Sequence, residues 1–493
     1  MRAKPAQAEG GSASAALARV SKALVVGSGP NGLAAAIVLL QGGVEVEVRE
    51  AADWVGGGVH SEELTLPGFV HDVCATVQPL AAASPFFRSL GLEVEWVHPD
   101  APAAHPLDDG SAVVLERGLE ETAEGLGRDG SAYRRLVEPL VLAWEELAPV
   151  VLGRMPPPPR RGLRALAAAG AGAAVRAARA ALEDARSVAE SLFETERARA
   201  WFAGHCAHAI LPLERRPSAG FGLVLAVLGH AVGWPTSRRG ASSLADALAA
   251  RVRELGGAIE TGARVDELPS DRLVLADVAP RELVRISGGR LPGRYERRLL
   301  RYRHGPGAFK VDWALDGPIP WRAEACRRAG TVHLGGTLDE ISHSEWGAWS
   351  GRPVERPFVL LVQQTTFDPS RAPEGKHVAW AYCHVPNGSG VDMTERIEAQ
   401  VERFAPGFRE LVLARSSLAP AELEARNRNL VGGDLNGGAM DLGQLFRRPE
   451  ARFVPWRTPV DGVYLCSAST PPGGGVHGMC GYWAARAALR DSA

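Results

Sequence analysis

Ala23-Leu-Val-Val-Gly27-Ser-Gly29-Pro-Asn-Gly32, followed by the apolar run Leu33–Gln41 and the alternating stretch Val44-Glu-Val-Glu-Val48, reads as strand, turn, helix, strand. The spacing of Gly27, Gly29 and Gly32 carries weight only in that setting. Gly27 allows a tight turn. Gly29 has no side chain, so backbone can approach a pyrophosphate, and Gly32 lets the helix pack against the strand. Pro30 and Asn31 fall in the turn, where a helix N-terminus presents free N–H groups and its positive dipole end to phosphates. Gly42-Gly43 ends the helix. Glu50 lies 18 residues after Gly32, at the end of the second strand. An acid there accepts hydrogen bonds from ribose hydroxyls and repels a 2′-phosphate. The pattern predicts an α/β fold with a Rossmann-like nucleotide-binding domain.

The rest of the chain is consistent with a globular protein. It has 493 residues, 46% of them hydrophobic and 23% charged, which excludes disorder as its main state. At roughly 150 residues per domain, the length suggests about three domains. With 55 basic against 57 acidic residues, net charge gives no reason to expect a nucleic-acid partner. Only Lys4, Lys22, Lys310 and Lys376 are lysines; arginine is the default base. The six cysteines form no close pair, so neither a disulfide scaffold, a zinc ribbon nor a dithiol relay is expected. Free thiols suit a reducing cytoplasm. Residues 1–20 read as a disordered leader without a signal-peptide apolar run.

Two segments raise a membrane question. Pro217–Ser237 is charge-free and long enough to span a bilayer, but its apolar heart, Phe221–Val232, is short and favours a buried helix. After the proline run Pro156–Pro159, Leu163–Phe193 reads as Ala-rich helix broken near Gly170 and Gly172. Arg160, Arg161, Arg164, Arg176 and Arg179 make its first part basic. That face could meet an anionic membrane as a peripheral contact, although a solvated helical face is the simpler expectation. Further strands are expected at Ala258–Val265, Leu273–Val278, Phe309–Leu315, Phe358–Thr365, His377–His384 and Gly462–Ser467, with a C-terminal helix at Tyr482–Leu489.

Three segments resemble one superfamily. Glu50-Ala51-Ala-Asp-Trp-Val-Gly56-Gly57-Gly58 is similar to the segment by which two-dinucleotide-binding-domain flavoproteins continue onto the pyrophosphate. Many members carry arginine where this chain has Gly58. Glu254–Val265 resembles the strand whose valine backbone, here Val265, brackets the adenine. Pro459–Gly478, with Gly473-Gly-Gly-Val-His-Gly478, resembles the C-terminal flavin segment of phytoene desaturase-like enzymes, and Pro67-Gly-Phe-Val-His-Asp72 fits them too. The chain is thus similar to the phytoene desaturase/flavin amine oxidase superfamily, particularly a bacterial group related to pyridine nucleotide-disulfide oxidoreductase domain-containing protein 2. The link between Val265 and Leu273 leaves no room for the β-meander many relatives carry.

The resemblance implies FAD, bound by a discontinuous domain of residues 21–95, 235–285 and 440–493. A substrate domain of mixed sheet and helices would take 96–234 and 286–439. Gly475, Gly478 and Met479 would lie at the flavin, where a helix N-terminus could stabilise the reduced anion. Lys310 sits where flavin amine oxidases hold a water near N5, yet Lys310 and Asp312 share a strand face and could simply pair. His477 could relay a proton or cap its turn. His205 and His208 could suggest a metal, but no carboxylate completes a set, so no metal site is expected.

The expected function is an FAD-dependent oxidoreductase that removes hydride from a C–H bond of a hydrophobic small molecule, as a dehydrogenase or desaturase. Alternatives are an oxygen-using amine or amino-acid oxidase, a polyene reductase or isomerase, and a non-catalytic FAD-binding protein. The acceptor would be oxygen, a quinone or NAD(P), and the location cytoplasmic or membrane-associated.

Overall fold

The computed structural model describes residues 21–153 and 157–492. The expected leader at 1–20 and Pro156 lie outside the described residues.

The opening unit forms as its sequence predicts, with one shift. Strands Lys22–Val26 and Glu45–Arg49 flank a helix that begins at Pro30, three residues earlier than Leu33. Proline is tolerated there because its missing N–H would be unpaired in a first turn anyway. The two strands lie parallel in a five-stranded sheet. Leu273–Ala276 pairs with the other side of Lys22–Val26, and Val463–Leu465 and Ala258–Glu260 form the two edges, all parallel. Parallel strands at such distances in sequence need helical crossovers; the inner strands Lys22–Val26 and Leu273–Ala276 are accordingly buried apolar runs, whereas Glu45–Arg49, nearer the edge, alternates. The C-terminal helix Met479–Asp491 packs across Pro30–Gln41. A Cβ on Gly481 would lie 1.8 Å from the Asn31 carbonyl, so the close crossing requires glycine.

The second sheet has seven strands, in the order Val412–Leu418, Gly307–Leu315, His377–Val385, Val359–Val362, Ala329–Leu334, Ala101–Pro106, Ala112–Leu115. All neighbours are antiparallel except Ala329–Leu334 with Ala101–Pro106. The expected strand at Phe358–Thr365 stops at Val362, where the chain turns into a short 3₁₀ segment. Ala258–Val265 is strand only to Glu260, and residues 266–272 form the short link in place of a meander. Gly307–Leu315 is buried along its whole length, polar face included. It is a central strand, and the segment carrying Phe69 and His71 covers that face.

Leu163–Phe193 proves to be three helices: Pro159–Ala169, Ala171–Leu182 and Ala185–Leu192. Gly170, at φ +79°, makes the first break. Ser218–Ala231 is a mostly buried 14-residue helix, and no single helix among the described residues is long and apolar enough to cross a membrane.

Candidate functional site

The glycine turn opens into a cavity of about 1090 Å³ between the two sheets. Gly27, Gly29, Pro30, Asn31, Glu50, Ala51, Gly57, Val265 and Gly475 all line it. The fit to a pyrophosphate rests on what is missing from the wall. A Cβ on Gly57 would lie 3.2 Å from the Gly29 Cα, so the two glycines face each other as bare backbone. The Asn31 side-chain oxygen, in the first helical turn, is buried with no partner among the described residues. Gly32 and Gly56 do not line the cavity; they shape it. A Cβ on Gly32 would lie 2.0 Å from the Gly27 carbonyl oxygen, and Gly56 (φ +110°) would press on Val59 and Ala245.

Glu50 ties the strand end to the turn. Its Oε2 accepts from the Ser28 N–H and hydroxyl, both at 2.8 Å, and its Oε1 accepts from the Ala52 N–H at 2.9 Å. A carboxylate has about four acceptor positions, so capacity remains for ribose hydroxyls.

Asp277 was not singled out by the sequence. It leaves the Leu273–Ala276 strand and accepts from the Gly32 N–H at 2.9 Å. Burial pushes its carboxyl up to about 7; the charge of Glu50 adds to the rise, and the Gly32 N–H opposes it. A second unforeseen contributor is the loop at 425–430. Arg426, Asn427 and Arg428 line the cavity, with Asn427 Nδ2 3.7 Å from where a Gly57 Cβ would be. This loop is bolted to the exit of Asp277: Asn429 Oδ1 accepts from the Ala279 N–H at 2.7 Å and its Nδ2 donates to the Asp277 carbonyl at 2.9 Å. Arg426 pairs with Glu62 and Arg428 stands 4.0 Å from Glu282, so the loop brings two cations to the cavity rim with carboxylates beside them.

The second sheet walls the rest of the cavity with Thr331, Leu360, Val362, Trp380 and Tyr382, opposite Leu225, Trp234 and His208. Trp380 and Tyr382 stack at 5.5 Å and 14°. His208 Nε2 lies 3.0 Å from His333 Nε2, and His205 and His105 lie behind. Burial, reinforced by neighbouring imidazoles, pulls His208 down to about 3; burial takes His205 and His105 to about 4. The histidines are therefore neutral at physiological pH. Among the described residues no group of three or more His, Cys, Asp or Glu could hold a metal.

The two catalytic candidates both stand behind the cavity wall. Lys310 does not line the cavity. Its ammonium is buried, paired with Asp312 and 5.1 Å from the centre of the Trp380 ring. His71 Nδ1 stands 3.4 Å from the other Asp312 oxygen. The lysine thus stands one layer behind the cavity, and the geometry matches the pairing expectation. His477 is also buried off the wall. Its Nδ1 accepts from the Met479 N–H at 3.0 Å, and its carbonyl accepts from the Ser84 hydroxyl at 2.7 Å. Of the two expectations for His477, this matches the cap. Gly478 (φ +68°) sits at the same helix start, where a Cβ would strike the Phe87 ring.

A bare glycine cradle at a parallel-sheet crevice, opening onto an aromatic wall, is the arrangement of a dinucleotide-dependent redox enzyme. Residues 31–480 match the family of flavin-containing amine oxidoreductases. The chain belongs to this family. It is an FAD-dependent oxidoreductase. It is 28% identical to mouse pyridine nucleotide-disulfide oxidoreductase domain-containing protein 2, over 95% of this chain and 93% of that one. It is 27% identical to a phytoene dehydrogenase of Streptomyces griseus, over 80% and 78%. The fold is similar to that of an oxidoreductase from Methanosarcina mazei (TM-score 0.63, 18% identity, covering 95% and 100%). It is also similar to that of a putrescine oxidase bound to putrescine (TM-score 0.58, 17% identity, covering 96% and 98%).

Proposed function

We propose that this enzyme dehydrogenates a neutral, hydrophobic substrate at a C–H bond. The observation that carries this reading is the chemistry of the wall. The lining supplied by the second sheet and the facing helices includes no carboxylate; its polar groups are Thr331, Tyr382, the indoles and a neutral histidine. An alkylammonium would be desolvated there without an anion to pair with, at a cost of several kcal/mol. A hydrocarbon or other neutral apolar molecule would not.

Bound FAD supplies the hydride acceptor. In this reading Gly27, Gly29, Gly57 and the start of the Pro30–Gln41 helix hold its pyrophosphate. Glu50 holds a ribose and Val265 borders the adenine, while Gly475 and Val476, which line the cavity with Gly478 and Met479 behind them, approach the flavin. Trp380 and Tyr382 orient the substrate, and Leu225, Trp234, Leu360 and Val362 exclude water. His208 keeps that wall uncharged.

Anaerobic mixing of the holoenzyme with neutral polyenes and with primary amines tests the proposal. The 450-nm flavin band should bleach with the neutral series only. Bleaching by amines, with peroxide released on admitting oxygen, would instead establish an amine oxidase.

A further inference from the structure

We propose that the bent helix pair Pro159–Ala169 and Ala171–Leu182 docks the enzyme onto an anionic lipid surface. A surface helix ordinarily turns its large apolar residues inward and its charges outward. Here the inward positions are small. Pro159–Ala169 buries only Ala165 and Ala169, and Ala171–Leu182 buries only Ala177. The large apolar side chains point out instead: Leu163 is 63% exposed, Val175 57% and Leu182 50%. Leu142, at the end of a neighbouring helix, is 80% exposed. Large apolar side chains exposed together on neighbouring helices mark an interaction site.

Charge selects the occupant. No Asp or Glu occurs between Glu146 and Glu183, whereas the two helices carry Arg160, Arg161, Arg164, Arg176 and Arg179. None of the five forms an ion pair among the described residues. Arg161 stacks over the Trp483 ring at 5.8 Å and Arg176 donates to the Arg135 carbonyl, but no carboxylate neutralises either. Leucines interleaved with arginines that lack a carboxylate partner suit an interface where acyl chains lie beneath phosphate headgroups. A second copy docked through the same helices would set arginines against arginines with no carboxylate between Glu146 and Glu183 to offset them, so self-association is disfavoured. The helices bend by 110° at Gly170, so the pair can lie along a surface but cannot cross the membrane as one straight span.

The face also sits close to the substrate cavity. Ala171–Leu182 packs on Ser218–Ala231 so tightly that a Cβ on Gly220 would lie 2.5 Å from the Ala181 carbonyl oxygen. Leu225 of that second helix lines the cavity. Docking would thus place a lipid-dissolved substrate one helix from the cavity wall, a point that rests on the reading of a hydrophobic substrate. The docking itself does not.

Co-sedimentation of the full-length holoenzyme with vesicles tests it. Partition onto vesicles containing about one-third phosphatidylglycerol should exceed that onto pure phosphatidylcholine at least tenfold, and should fall as salt rises. Arg160→Glu with Arg164→Glu should lower it at least tenfold. Leu163→Ser with Leu166→Ser should lower it without removing the salt dependence. These side chains are exposed, and an unchanged flavin spectrum would verify the fold of each variant. Equal partition onto both vesicle types, or no partition onto either, would overturn the proposal. So would concentration-dependent dimerisation abolished by the leucine variant, which would assign the face to a second copy.

Discussion

Asp277→Asn should flatten the pH dependence of FAD binding. The carboxyl lies 2.9 Å from the Gly32 N–H, and its Oδ2 is 2.9 Å from where a Gly29 Cβ would be. It therefore borders the cradle proposed for the pyrophosphate. Its pKa is about 7 rather than the ordinary 3.8. The native apoprotein thus holds a proton that the unfolded chain releases. The associated stability is fully present below 3.8 and is lost as pH rises through 7, amounting to about 4 kcal/mol at 1.36 kcal/mol per unit. A dianionic pyrophosphate would raise the carboxyl further, so cofactor uptake above pH 7 brings a proton with it. The dissociation constant for FAD should then rise with a slope approaching tenfold per unit well above pH 7, about sixteenfold from pH 7 to 8.5 because the carboxyl is half protonated at pH 7. Fluorescence titration of apoprotein across that range measures the slope. Calorimetry in buffers of different ionisation enthalpy counts the proton. A wild-type slope of zero, or an Asp277→Asn slope equal to wild type, would refute the linkage.

Three further outcomes follow from the packing. Gly32→Ala places a methyl 2.0 Å from the Gly27 carbonyl, forcing turn and helix apart. It should purify colourless and less stable by about 1–3 kcal/mol; full flavin content by absorbance would contradict the close packing. Lys310→Met leaves buried Asp312 without its cation and should cost about 3–5 kcal/mol in urea unfolding, largely restored by adding Asp312→Leu. A stable single variant that is instead tenfold slower in oxygen reoxidation would return the lysine to flavin chemistry. The buried histidines, held near 3–4, contribute stability present above 6.5 and lost as pH falls toward those values. His105 alone carries about 3 kcal/mol of this. Equal urea midpoints at pH 7.5 and 5 would show that these histidines protonate freely.

The dinucleotide unit was legible because its information is local. Strand, turn, helix and acid occupy Ala23 to Glu50, and Gly27, Gly29 and Gly32 answer to contacts made within that span or with Asp277 at the end of the strand beside it. The C-terminal turn at Gly473–Gly478 stood out by resemblance alone; its glycines answer to distant Asn436, Leu80 and Phe87. Burial, by contrast, is a property of the assembled sheets. Alternation along Phe309–Leu315 marked a polar face correctly, but only the segment at His71 turned that face into an interior and drew Lys310 onto Asp312. Asp277 meets Gly32 across 245 residues of chain, and no local pattern distinguishes it from a surface aspartate. The loop at 425–430 and the histidines from four separate elements are likewise brought together by tertiary packing alone. The arginines after the proline run are plain in the sequence. That their leucines face outward was decided only when Ala165, Ala169 and Ala177 took the inward positions. Turn chemistry and hydrogen-bond geometry act over a few residues and leave a mark in the sequence; desolvation depends on what covers a side chain, and that is settled by distant parts of the chain.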